Sequence, residues 1–269
     1  MKPGISSYTY TWAVGVPGNL PDTCLSAFDL IDKAIGLQVP VVQIADNLPL
    51  DKLSSGELDD LRIYAERNHI EIESGSRGLT EENLEKYIRI AIKLKSRILR
   101  FVIDAPSYEP AMEDIHAIIR NFVPELEKTE IVLAIENHDR LLSRQFVEIV
   151  EKAGSQNVGI CLDTVNSIGA GEGLETVIGR LAPLTVNLHV KEFTIRRASH
   201  KMGYIVEGCP LGNGMLPIDE LFAKVSPACN SAILEQWTPP ENTLEETIRK
   251  EEEWANISIN HLKNIINHV

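Results

Sequence analysis

Strand-like and helix-like patterns alternate from one end of the chain to the other, and eight rounds can be read without a break. Such alternation marks βαβ units that feed a parallel sheet. The spacing predicts strands near 5–12, 41–46, 70–75, 98–104, 131–137, 158–163, 185–193 and 232–237. Helices are predicted near 23–37, 54–69, 80–95, 111–129, 143–154, 173–182, 217–225 and 243–267. Thr80-Glu81-Glu82-Asn83 has the form of a helix start, and Leu84, Tyr87, Ile88, Ala91 and Leu94 then recur at three- and four-residue steps. Gly154 and Pro183 punctuate two helix ends. Eight rounds in 269 residues fit a closed (β/α)₈ TIM barrel, which typically takes ~250 residues. The expected organisation is therefore α/β, one barrel domain over 1–269. An open dinucleotide-binding sheet would carry GxGxxG after its first strand. None is present there, and Gly169, Gly171 and Gly173 follow strand six, where they read as a flexible loop. The longest connection, 194–216, follows strand seven and reads as a functional or mobile loop.

Four of the strands end on residues able to hold a metal: I-V-L-A-I-E136, V-G-I-C-L-D163, T-V-N-L-H189 and A-I-L-E235. Successive strand residues point to opposite faces. Ile131, Leu133 and Ile135 therefore oppose Val132, Ala134 and Glu136, while Val158, Ile160 and Leu162 oppose Gly159, Cys161 and Asp163. On strand seven Val186, Leu188 and Val190 oppose Asn187, His189 and Lys191. A barrel with helices outside and a polar cavity inside accounts for all three patterns.

Each residue also has a simpler explanation. Glu136 could pair with a neighbouring cation, Asp163 could bond its own turn, His189 could be a satisfied core histidine, and Glu235 could cap the last helix. Jointly these explanations weaken, because unpaired buried carboxylates are costly and one cation neutralises three of them. Oxygen-rich donors suit Mg²⁺ or Mn²⁺, and the single imidazole keeps Co²⁺ and Zn²⁺ open. Such an ion would stabilise an enediolate formed beside a chelated ketone.

The composition excludes other classes. Lys and Arg number 26 against 39 Asp and Glu, a formal charge of −13, which argues against general nucleic-acid binding. Cys24, Cys161, Cys209 and Cys229 form no CxxC pair and read as reduced thiols. No leader-like or membrane-spanning apolar run is seen, so a cytoplasmic setting without membrane partners is expected.

The segments A-I-E136-N-H, C-L-D163-T-V-N, L-H189-V-K191-E-F, P-L-G212-N-G214 and I-L-E235-Q-W resemble the sugar isomerase and epimerase group with the xylose-isomerase-like barrel. That group includes ketose 3-epimerases, hydroxypyruvate isomerases, inosose dehydratases and the endonuclease IV branch. The resemblance implies one divalent ion held by Glu136, Asp163, His189 and Glu235, with Glu136 and Glu235 sharing acid and base work. It implies a carbohydrate substrate and proton transfer through an enediolate. A dehydratase of the inosose or 3-dehydroshikimate type is the alternative, and a non-catalytic sugar-binding barrel is a further one. The chain departs from the pattern at Asn166, where many ketose 3-epimerases carry His, and at Asn213, where relatives often carry an acid.

Lys191 shares a strand face with His189 and is expected to polarise a substrate oxygen or hold an anionic group. His138, Asn166, Glu73 and Trp237 are the candidate substrate contacts. Glu73 and Arg100, on neighbouring strands, could instead simply pair with each other. Arg196, Arg197, His200 and Lys201 form a compact basic cluster after strand seven, where barrels often bind phosphate. A homo-oligomer is compatible with the sequence.

Overall fold

The computed structural model describes residues 1–268. Eight parallel strands close a barrel: β1 (Lys2–Ser6), β2 (Val41–Ile44), β3 (Glu71–Arg77), β4 (Ile98–Val102), β5 (Val132–Glu136), β6 (Val158–Asp163), β7 (Thr185–Val190) and, after a hairpin, β10 (Ser231–Leu234). Around the closed sheet the order is β1-β10-β7-β6-β5-β4-β3-β2. Helices α1 (Thr11–Val14), α2 (Ala27–Leu37), α3 (Ser55–Arg67), α4 (Glu81–Leu94), α5 (Met112–Thr129), α6 (Ser143–Ala153), α7 (Leu174–Leu181), α8 (Ile218–Lys224) and α9 (Leu244–His268) surround it. Several start on side-chain caps: Ser26, Ser54 and Thr80 accept from the backbone N–H three residues on, satisfying donors a helix start leaves orphaned. No helix among the described residues is long and apolar enough to cross a membrane.

The outward faces of the strands pack on the helices, with Leu133, Ile135, Ile160, Leu162 and Leu188 buried in one continuous core. The inward faces are different. Where a TIM barrel usually fills its centre with bulky branched side chains, this one carries Gln43, Glu73, Arg100, Glu136, Asp163, Asn187 and His189, all buried. Glycines make room for them. A Cβ at Gly75 would meet the Arg100 Cδ at 3.3 Å and the Ala45 Cα at 3.1 Å.

Two segments differ from expectation. The first strand stops at Ser6 instead of reaching residue 12, because the Ser6 hydroxyl accepts from Tyr8 N–H and caps a 3₁₀ turn over Ser7–Tyr10. Strand seven stops at Val190, and much of the expected 194–216 loop is ordered as an antiparallel hairpin of β8 (Phe193–Arg197) and β9 (Tyr204–Gly208). The basic cluster decorates that hairpin and its turn: Arg196 pairs with Glu207 across the strands at 2.8 Å, and Arg197 stacks on Tyr204.

Candidate metal centre

Glu136 and Asp163 are the last residues of β5 and β6, His189 is the penultimate residue of β7, and Glu235 directly follows β10. Parallel registry brings them to one level, with Asp163 opposite His189 and the Glu235 N–H donating to Val190 C=O. The His189 Nδ1 lies 3.3 Å from Glu235 Oε1, 3.5 Å from Glu136 Oε2 and 4.0 Å from Asp163 Oδ2. All four side chains are at most 2% exposed. The Cys161 thiol stands close enough to Glu136 and His189 to join the group.

Each acid is held through both of its carboxylate oxygens. Asp163 Oδ1 accepts the N–H groups of Val165 and Asn166, both at 2.8 Å, so the turn-bonding explanation is correct for that oxygen. Its Oδ2 pairs with Lys191 Nζ at 2.8 Å. Glu136 accepts from Arg100 Nε and from Asn166 Nδ2. Glu235 accepts from the Ser6 hydroxyl at 3.0 Å and pairs with Lys191 at 3.0 Å. Three carboxylates thus share two fixed cations. Burial alone would raise the Glu235 carboxyl, but His189, Lys191 and Arg100 hold it at about 2. Burial alone would lower Lys191, and Asp163, Glu235 and Glu136 override it and push it upward.

His189 Nδ1 is a buried polar atom without a hydrogen-bond partner, and it faces Asp163 Oδ2, which is ion-paired to Lys191. Orphaned buried groups of this kind ask for an explanation. A divalent cation supplies one, and the donor set of carboxylates with one imidazole fits it.

A cavity of about 200 Å³ opens above the cluster, lined by residues that include Arg77, His138, Asn166, Lys191 and Trp237. His138 Nε2 is 3.2 Å from an Arg77 nitrogen. Trp237 is 42% exposed rather than packed in the core, with Lys191 Nζ 5.2 Å from its ring centre. Asn166 spends its amide on Glu136 and so acts first as a support for that carboxylate. Glu73 is not among the residues that line this cavity; it sits lower in the barrel, bonded to Gln43, Asn187 and Ser231. The expected Glu73–Arg100 pair does not form. Arg100 registers with Gly75, not with Glu73, and reaches to Glu136 and Asp46.

Sequence reasoning missed Asp46, Arg77 and Tyr8. Asp46 lies two residues past β2, accepts from Tyr8 Oη at 3.1 Å, and pairs with Arg77 and Arg100. The signal was an acid just beyond a strand end, the same signal that marked Glu235. Glu192 was also missed. Its carboxylate accepts the N–H groups of Phe193, Gly212 and Leu216, and so folds the glycine segment 209–216 around itself.

A family model described as xylose isomerase-like TIM barrel matches residues 36–265. The chain is 31% identical over 264 residues to a 3-oxo-isoapionate decarboxylase of Pectobacterium atrosepticum, covering 97% of this chain and 95% of that one. The fold is similar to D-psicose 3-epimerase of Clostridium cellulolyticum H10, solved with D-tagatose: TM-score 0.72, 15% identity, 98% of this chain and 99% of the other. It is also similar to a Mycobacterium smegmatis barrel solved in complex with magnesium, at TM-score 0.66 and 14% identity over 96% of each chain. With its closed eight-stranded barrel and a family match over most of its length, the chain belongs to the xylose isomerase-like TIM barrel family.

Proposed function

We propose that this protein is a metal-dependent enzyme that breaks the bond between a carboxylate and the carbon next to the ketone of a small 3-oxo sugar acid. The observation that carries the reading is the orphaned His189 Nδ1 amid three buried carboxylates, beneath a cavity whose lining sets Arg77, Arg100 and Lys191 beside Glu136, Asp139 and Glu235. Glu136, Asp163, His189 and Glu235 would hold the ion, with Mn²⁺ or Mg²⁺ favoured by the oxygen donors. When bound, the ion supplies Lewis acidity at a substrate carbonyl. The relative from Pectobacterium, whose name specifies a decarboxylation, supports this choice of bond.

The chain's own residues divide the remaining work. A cavity of about 200 Å³ is smaller than the ~300–1,000 Å³ of drug-sized sites and suits a small metabolite. Arg77 and His138, at its mouth, are placed to receive the carboxylate. As the carbon–carbon bond breaks, its electron pair moves onto the neighbouring carbonyl oxygen and carbon dioxide leaves. The carbon then needs one proton, and the Lys191 ammonium faces the cavity to deliver it, to be replenished from water. We place the reaction in the cytoplasm, in keeping with four free cysteines.

A second reading, proton transfer on a neutral ketose, is favoured by one observation. Glu136 and Glu235 reach the cluster from β5 and β10, with β6 and β7 between them, as an acid and a base on two sides of a substrate require.

Incubation of the purified protein with Mn²⁺ and a 3-oxo sugar acid in D₂O tests both. Carbon dioxide release with one deuteron in the product is expected. Deuterium exchange into ketoses without carbon dioxide favours the isomerase or epimerase. New ultraviolet absorbance with an inosose or 3-dehydroshikimate favours the dehydratase. Sugar binding that survives chelation of the metal, with no turnover, would leave only a binding barrel.

A further inference from the structure

Beneath the ligand cluster, Gln43, Glu73, Asn187 and Ser231 form a buried network in which each side chain has one workable orientation. Glu73 Oε2 receives Gln43 Nε2 at 3.0 Å and Asn187 Nδ2 at 2.9 Å, and its Oε1 receives the Ser231 hydroxyl at 2.5 Å. An oxygen flanked by two N–H donors stays an acceptor whether or not Oε1 carries a proton. Asn187 is fixed as well. Its Oδ1 accepts the second hydrogen of Gln43 Nε2 at 2.9 Å and the Cys161 thiol at 3.2 Å, and its Nδ2 also donates to Ser231 Oγ at 2.8 Å.

An amide's orientation follows from such partners. Turning Gln43 over would set its carbonyl against the Glu73 carboxylate and the Asn187 carbonyl, so its Oε1 must face the other way. There it lies 2.7 Å from His189 Nε2. A carbonyl can only accept, so Nε2 must carry a proton, which leaves Nδ1 as the nitrogen able to present a lone pair to an ion held among Glu136, Asp163 and Glu235.

We infer that Gln43 is a positioning residue that locks His189 in the Nε2–H tautomer, and that Glu73 and Asn187 set Gln43 in turn. This rests on the metal-site reading above and deepens it: the lower layer of the barrel prepares the imidazole for the ion. Outer partners of this kind typically change metal affinity 10–100-fold when removed.

Zn²⁺ serves as a diamagnetic probe. Long-range proton–nitrogen spectra of the Zn²⁺-loaded protein should show His189 protonated at Nε2 and not at Nδ1. Gln43→Met, which keeps volume but loses the acceptor, should lower Zn²⁺ affinity by ~10–100-fold with unchanged circular dichroism. Glu73→Gln, which lets Gln43 take either orientation, should lower it by less, and it carries the affinity test if Gln43→Met does not fold. Protonation at Nδ1, or affinity within twofold of the parent in both variants, would overturn the inference and leave the metal site standing. Absence of any Zn²⁺ or Mn²⁺ binding by the parent protein would remove the metal-site reading and this inference with it.

Discussion

The barrel buries acids in two layers, and it treats them in opposite ways. In the upper layer Glu136, Asp163 and Glu235 stand among Arg100, Lys191 and His189, and Glu235 is held at about 2. In the lower layer Glu73 stands among neutral donors, and its burial, only partly offset by Ser231, Gln43 and Asn187, raises its carboxyl above the ordinary range. The lower network is complete, while the upper one leaves His189 Nδ1 without a partner. A satisfied polar network specifies a shape. An unsatisfied one, one layer above it, marks where something else binds.

The largest effect should come from Arg100→Met, which leaves the buried Glu136 without its cation and Asp46 with Arg77 alone. Breaking a buried pair from one side costs about 3–5 kcal/mol, read by urea unfolding in chelator. Mn²⁺ should return part of that loss, since it neutralises Glu136. A loss below ~1 kcal/mol would erase the contrast between the layers.

His189→Ala should keep the fold and lower Mn²⁺ affinity by at least ~100-fold, the upper end of what outer partners alone produce. Calorimetric titration reads it directly. An unchanged titration would return His189 to the role of a core histidine.

Ser231→Ala removes one donor from Glu73 and should cost about 1–3 kcal/mol. Because the lower layer binds nothing itself, most of that cost should persist at saturating Mn²⁺. A cost that vanished on metal addition would merge the two layers into one site.

The gentlest test reads a slope. Glu251, in α9, is a further buried acid, accepting from the N–H groups of Trp12 and Ala13. Burial pushes it up to about 8 from an ordinary 4.5. Between those values the folded chain keeps a proton that the unfolded chain has released, so stability falls as pH rises through that window, with the full loss in place above about 8. Glu251→Gln should flatten this dependence in thermal melts, and an equal slope in both proteins would reject the assignment.

The barrel was legible because its strands and helices have clean periods: β6 was read at its observed bounds, and α5 and α6 within a residue. The four residues of the candidate cluster were legible because each is a polar residue at or beside the end of an apolar strand. What escaped reading depends on partners distant in sequence. Arg100 meets Glu136 rather than Glu73 because of barrel registry. Gln43 looks like an interruption in V-V-Q-I until His189, on a strand across the barrel, comes within 2.7 Å. The β8–β9 hairpin was hidden by basic residues, although Ile195 and Val206 alternate with charge as paired strands do.

Glu192 sits one residue beyond Lys191 and gathers segment 209–216 by three backbone N–H groups, with Gly214 so near that a Cβ would fall 2.4 Å from its Oε1. That rim is therefore pinned just past the C-terminal end of β7, the strand bearing His189. A displacement of this rim would pull on Glu192 and through the backbone on Lys191, whereas the β8–β9 hairpin carries no such bond to the Glu192 carboxylate beyond Phe193 N–H.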